Sequence, residues 1–153
     1  MSRNLATFAA GCFWGVEANF RKMDGVIDTD VGYTGGTVKD PDYCHVCTGT
    51  TGHVEAVQIT FDADTISYEK LLEIFWRIHD PTTTNQQGPD YGSQYRSMIF
   101  YHDVGQQEQA LKSMADLEKS GQYRYPIVTE IVPASVFYPA EEYHQHYYER
   151  HGL

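Results

Sequence analysis

The stretch Leu5-Ala6-Thr7-Phe8-Ala9-Ala10-Gly11-Cys12-Phe13-Trp14-Gly15 opens as a short apolar run and is broken by a glycine. Leu5 to Ala10 predicts a strand, and Phe13 to Met23, closed by Gly25, predicts a helix. Cys12 therefore falls at a strand-to-helix junction, and the rest of the chain can be read outward from that unit.

Val26 to Tyr33 and Val54 to Phe61 read as strands, the second by clear alternation. Ser67 is a candidate N-cap for a helix with an apolar stripe of Leu71, Leu72, Phe75 and Trp76, stopped before Pro81. Ser97 to His102 and Ile127 to Val132 are further strands. Between them Val104 to Ser120 reads as a helix through Ala110, Leu111, Met114 and Leu117, with Gly121 behind it. The tail from Pro139 to Arg150 is a helix candidate with proline in its first turn, while Thr34–Gly52 and Thr82–Gln94 read as loops. Several connections are too short or too loop-like for a series of parallel crossovers. The expectation is an α+β two-layer sandwich with a mixed β-sheet and flanking helices, forming a single domain over residues 1–153.

Composition narrows the functional classes. With 41% hydrophobic and 21% charged residues, the 153-residue chain suits one soluble globular domain. Eleven lysines and arginines against 21 acidic residues give a formal charge of -10, which would repel nucleic acid and anionic membranes. Met1-Ser2-Arg3-Asn4 leads directly into patterned sequence with no apolar signal region or long apolar run, so a cytoplasmic location is expected. Three cysteines make an odd number, and a reducing compartment disfavours a disulfide framework, leaving catalysis or metal binding to be weighed.

At the start of a helix Cys12 would meet unpaired backbone N–H groups and a positive dipole end, which predicts a readily formed nucleophilic thiolate; a buried inert cysteine is the alternative. Alternation places Glu55 on the face of Val57, Ile59 and Phe61, which should point into the core. A carboxyl desolvated there has a raised pKa and can serve as a general acid, unless it bends back to water at the strand end. Cys44-His45-Val46-Cys47, with His53 nearby, resembles half of a zinc site, but no second C-x2-C exists. His144, His146 and His151 read as surface or packing residues, and Gly88-Pro89-Asp90-Tyr91-Gly92 reads as a turn.

Gly11-Cys12-Phe13-Trp14-Gly15 resembles the nucleophile motif of the A-type peptide methionine sulfoxide reductases. The resemblance continues through Gly32-Tyr33-Thr34-Gly35-Gly36, Tyr43 ahead of Thr51-Gly52-His53-Val54-Glu55-Ala56-Val57, Asp90-Tyr91-Gly92-Ser93-Gln94-Tyr95-Arg96-Ser97 and Phe137-Tyr138-Pro139-Ala140-Glu141-Glu142-Tyr143-His144-Gln145. These five matches, in order, span nearly the whole chain. The resemblance implies reduction of the S epimer of methionine sulfoxide, in proteins and peptides and also as the free amino acid. It makes Cys12 the nucleophile, Glu55 the acid, Tyr43 and Tyr95 donors to the sulfoxide oxygen, Phe13 and Trp14 the methyl pocket, and Asp90 an acidic residue lining the site.

A sulfoxide sulfur is a poor electrophile until its oxygen is protonated or strongly hydrogen-bonded, which a neutral Glu55 can accomplish. Attack by Cys12 would release methionine and leave a sulfenic acid. Many relatives carry resolving cysteines in a C-terminal tail, whereas this sequence has none after Cys47. Either Cys47, the favoured candidate, or Cys44 closes an internal disulfide, or an external thiol attacks directly. No bound cofactor or metal is expected; thioredoxin or another thiol would supply electrons, and the protein is expected to act as a monomer. A thiol peroxidase is the competing enzyme reading, disfavoured by Glu55 and Trp14, and a small zinc-binding interaction module around Cys44 and Cys47 is the non-enzymatic one.

Overall fold

The strand read from Leu5 to Ala10 becomes the middle of a sheet because its side chains are buried on both faces. In the computed structural model, which describes residues 3–151, strand β1 (Arg3–Ala10) buries Ala6 and Phe8 towards one face and Ala9 towards the other. Met1, Ser2, Gly152 and Leu153, part of the expected 1–153 domain, lie outside the described residues. β1 pairs antiparallel with β3 (Val54–Asp62) on one side and β6 (Ser97–Tyr101) on the other. Beyond β3 come β2 (Val26–Thr34) and a two-residue edge, β8 (Tyr138–Pro139), both antiparallel, while β7 (Glu130–Pro133) runs parallel to β6. The order β7-β6-β1-β3-β2-β8 is thus a mixed sheet with one parallel pair, as the irregular connections predict.

Helices α1 (Phe13–Arg21) and α3 (Tyr68–Arg77) cover the larger face. There Phe8 stacks on Phe20 at 5.5 Å, Phe75 at 5.2 Å and Tyr68 at 5.9 Å, and Val57, Ile59, Leu71 and Leu72 close around them. Each such fully buried side chain contributes roughly 1.5–3 kcal/mol from removal of apolar surface from water. The opposite face carries a smaller cluster of Ala9, Val54, Ala56, Met98 and Phe100 under Val132, Ala134 and Phe137. Ser67 caps α3 through the Lys70 N–H, as its position predicts. Helix α4 (Val104–Lys119) packs on α3, with the Trp76 indole N–H donating to Ser113. Its predicted stripe is only partly correct: Ala110 is buried and Met114 and Leu117 pack against the core, but Leu111 is 46% exposed.

Four other local expectations are corrected. Thr34–Gly52 is not all loop: Asp42 accepts the His45 N–H and Val46 is fully buried, nucleating helix α2 (Tyr43–Cys47). Within Thr82–Gln94 a ribbon of β4 (Gln86–Gln87) and β5 (Asp90–Tyr91) turns at Gly88-Pro89. The strand expected from Ile127 starts only at Glu130, because the Val128 N–H is taken by the Pro81 carbonyl and the Thr129 hydroxyl by Ser97. Pro139–Arg150 is not one helix but an edge strand, a 3-10 turn (Glu142–His144) and a final turn of helix, α5 (Tyr147–Arg150). Gln145 diverts its side chain to both the N–H and carbonyl of Val31, and His146 adopts φ +52°, which interrupts a helix. Among the described residues no helix is long and apolar enough to cross a membrane.

Candidate active site

Gly11 makes the sharp exit from β1 possible. Its φ is +103°, and a Cβ there would lie 3.0 Å from the Gln87 side chain. The chain then enters α1 with Cys12 as N-cap, its carbonyl accepting the Val16 N–H. The next free N–H of the helix, that of Phe13, donates to Glu55 Oε1 at 3.2 Å. Pairing of β3 with β2 sets Glu55 opposite Tyr33, and alternation turns it inward with Val57, Ile59 and Phe61, where it is 1% exposed. Its Oε2 has no hydrogen-bond partner among the described residues. Burial pushes Glu55 up to about 8; the Phe13 N–H opposes this and the Asp90 charge adds to it.

The expectation of an easily ionised Cys12 is corrected. The N–H groups of Trp14 and Gly15 do favour the thiolate, but burial outweighs them, and with the negative charges of Glu55 and Asp90 the thiol rises to about 11. A helix N-terminus lowers a thiol pKa only when desolvation and neighbouring carboxylates leave it dominant. Near neutral pH the site thus holds a thiol beside a largely protonated carboxyl.

Cys12, Gly15, Asn19, Gln87 and Asp90 line a recess of about 350 Å³. Asp90 reaches it from β5, opposite Gln87 in the ribbon. A larger groove of about 990 Å³ between α3 and α4 contains none of the predicted site residues. Tyr95 ends a 3-10 turn (Ser93–Tyr95), and burial followed by the charges of Glu55 and Cys12 raises its hydroxyl. Tyr43 is the first residue of α2, and its hydroxyl lies within electrostatic reach of Cys47, Glu55 and Tyr95. The predicted residues Cys12, Glu55, Tyr43, Tyr95 and Asp90 therefore converge, and Cys47 borders the same cluster, with burial raising its thiol. All three cysteines are free thiols, Cys44 and Cys47 exposed and Cys12 half-buried. His53 does not complete a metal set with them: Nδ1 accepts the Gly36 N–H and Nε2 bonds the Val38 carbonyl, so both nitrogens are engaged.

Phe13 is 1% exposed, packed on His144, Tyr33 and Tyr43, with ring centroids at 5.2, 5.8 and 6.4 Å. Trp14 is half-buried, stacked on Tyr147 at 3.9 Å, and its indole N–H donates to His144 Nδ1 at 2.9 Å. Sequence reasoning missed the parts played by Gln87, Glu141, His144 and Tyr147. Glu141 accepts both the Tyr33 hydroxyl and the Tyr43 N–H, tying the end of β2 to α2. The signal available was that Glu141 and His144 stand inside the last of the five motifs.

A cysteine at a strand–helix junction, facing a protonatable buried carboxyl and hydroxyl donors, is the layout of a cysteine-dependent enzyme. A family model described as peptide methionine sulfoxide reductase matches residues 4–153. The chain is 63% identical over 145 residues to a peptide methionine sulfoxide reductase MsrA of Methanococcoides burtonii, covering 95% of each chain. Among solved structures, reduced Mxr1 from Saccharomyces cerevisiae superposes with a TM-score of 0.90 at 38% identity, covering 99% of this chain and 87% of that one. The same yeast protein in complex with Trx2 gives a TM-score of 0.66 at 31% identity, covering 95% and 84%. The chain belongs to the peptide methionine sulfoxide reductase family.

Proposed function

We propose that this protein reduces the S epimer of methionine sulfoxide, in proteins and as the free amino acid, by transferring the sulfoxide oxygen to Cys12. The observation that carries this reading is the pairing of Cys12 with a buried Glu55 whose pKa stands near 8. Glu55 donates its proton to the sulfoxide oxygen as Cys12 attacks the sulfur, and the thiol proton passes to the vacated carboxylate. Oxygen moves from one sulfur to the other, so methionine and a Cys12 sulfenic acid are formed and Glu55 ends protonated. This proton exchange removes the need for a thiolate in the free enzyme, in keeping with a thiol raised to about 11. Tyr43 and Tyr95 hydrogen-bond the developing oxyanion, Asp90 lines the recess, and Phe13 with Trp14 receives the methyl group and excludes water.

Cys47 then attacks the sulfenic sulfur, forming a Cys12–Cys47 disulfide and releasing water. Its proximity to Tyr43, Tyr95 and Glu55 favours it over Cys44. A thioredoxin-type dithiol returns the disulfide to two thiols, a role suggested by the yeast relative's complex with Trx2. Three free thiols suit a reducing compartment, and the cytoplasm is proposed. Every residue in this scheme comes from one chain, so a monomer suffices.

The test is a single-turnover assay of reduced protein against separated S and R sulfoxide epimers of a methionine-containing peptide. Product from the S epimer alone, lost in Cys12→Ser, supports the reading; product from neither epimer, or from Cys12→Ser, overturns it.

A further inference from the structure

We infer that His144 is a positioning residue: it locks the indole of Trp14 and thereby sets the width of the wall that receives the methyl group. This rests on the reading of Phe13 and Trp14 as that wall.

The geometry of His144 has no other evident use. It is 1% exposed, and its ring lies 5.2 Å from Phe13, 4.5 Å from Tyr43 and 4.1 Å from Tyr143, so it touches both the proposed methyl wall and one of the proposed oxygen donors. Because the Trp14 indole is a donor only, the 2.9 Å bond requires a bare Nδ1 and leaves the proton on Nε2. That Nε2 is buried without a hydrogen-bond partner among the described residues. Leaving a buried ring N–H unpaired is costly, and the opposite tautomer would put two donors face to face.

The imidazole is itself held. On its C-terminal side Gln145 binds the Val31 N–H, the Val31 carbonyl and the Ala140 carbonyl through its side chain. The next N–H, of His146, donates to Glu17 Oε1 at 2.7 Å, and Glu17 is buried and also accepts the Thr29 hydroxyl. On its N-terminal side Glu141 is anchored by Tyr33 and Tyr43. The same segment supplies Tyr147, which stacks on the indole at 3.9 Å with a 10° interplanar angle. Trp14 is thus gripped at its N–H edge and across one face. Removing the edge contact frees the ring to slide along Tyr147, changing the space left beside Phe13.

The test compares methionine sulfoxide with its ethyl homologue, ethionine sulfoxide, in wild type, His144→Phe and His144→Gln. His144→Phe keeps a buried ring but offers no acceptor. It should lower kcat/KM for the methyl substrate about tenfold, mainly through KM, and shrink the methyl-over-ethyl preference, on the scale by which pockets sense one methylene. Alkylation of Cys12 by iodoacetamide should stay at the wild-type rate, and His144→Gln, whose amide oxygen can accept the indole N–H, should recover most of the loss. An unchanged methyl-over-ethyl preference in His144→Phe overturns the inference. If that variant does not fold, imidazole 15N shifts of the wild-type protein decide: a bare Nδ1 with a protonated Nε2 is required, and the reverse tautomer overturns it. A wild type that reduces neither sulfoxide would remove the underlying reading of the site, whereas an active wild type insensitive to His144→Phe removes only the role of His144.

Discussion

Replacing Glu55 with glutamine tests the acid directly, because the amide can still accept the Phe13 N–H that fixes the side chain but has no carboxyl proton to give. With a pKa of about 8, Glu55 is roughly nine-tenths protonated at pH 7. The sign of the pH dependence follows from that: the reactive form, thiol plus carboxylic acid, is present below about 8 and is lost above it. Single-turnover rate should be flat up to about pH 8 and then fall about tenfold per pH unit. A mechanism that waits for Cys12 to ionise would instead speed up with pH across the same range, since its thiol stands at about 11. Glu55→Gln should slow the chemical step by about 10²–10⁴ and erase the inflection. The same burial predicts a stability effect of opposite sense. Raising the carboxyl from 4.5 to about 8 disfavours the folded state by up to roughly 5 kcal/mol once pH exceeds 8, at about 1.4 kcal/mol per tenfold, and by nothing below 4.5. Glu55→Gln should therefore melt above wild type at pH 9, by on the order of 10 °C, with the gap closing towards pH 4.5. A rate that rises through pH 8, or a variant within tenfold of wild type, refutes the argument.

Three further outcomes follow from the placement of other residues. Cys47→Ser should keep a full first turnover but lose multiple turnover with thioredoxin, while Cys44→Ser keeps both; the reverse pattern would assign resolution to Cys44. The double variant Tyr43→Phe/Tyr95→Phe should slow single turnover by about 10²-fold or more, as expected on losing donors to a developing oxyanion, and an unchanged rate would remove both hydroxyls from the mechanism. Gly11→Ala forces a Cβ into a residue at φ +103° and against Gln87, at a cost of about 1–3 kcal/mol, so thermal denaturation should show a midpoint roughly 2–10 °C lower.

The regular elements were legible where packing follows a simple period. Alternation along Val54–Phe61 identified β3 and placed Glu55 on its inward face, where it is buried, although alternation alone left open a side chain turned back to water and the role of acid came only with the family resemblance. Elements held by non-periodic contacts were not legible. The turn of α2 depends on a cap from Asp42 and one buried valine, and the expected tail helix is broken by side chains of Gln145 and Glu17 that bind distant backbone. The acidity of Cys12 was misread for a related reason: sequence shows the helix start, but burial and the Glu55 charge, which arrive from across the fold, reverse its effect. The role of His144 is likewise a matter of long-range packing, since Trp14 and His144 stand 130 residues apart in the chain.

Oxygen transfer to Cys12 is the central step of the proposed reaction, and isotopic labelling tests it without reference to rates. Chain carrying Cys44→Ser and Cys47→Ser, so that no internal thiol can resolve the product, would be mixed with S-sulfoxide labelled with ¹⁸O and digested for mass spectrometry after a sulfenic-acid trap that retains oxygen. One labelled oxygen on Cys12 for each methionine formed is the predicted result; methionine formed while Cys12 carries no label would contradict it.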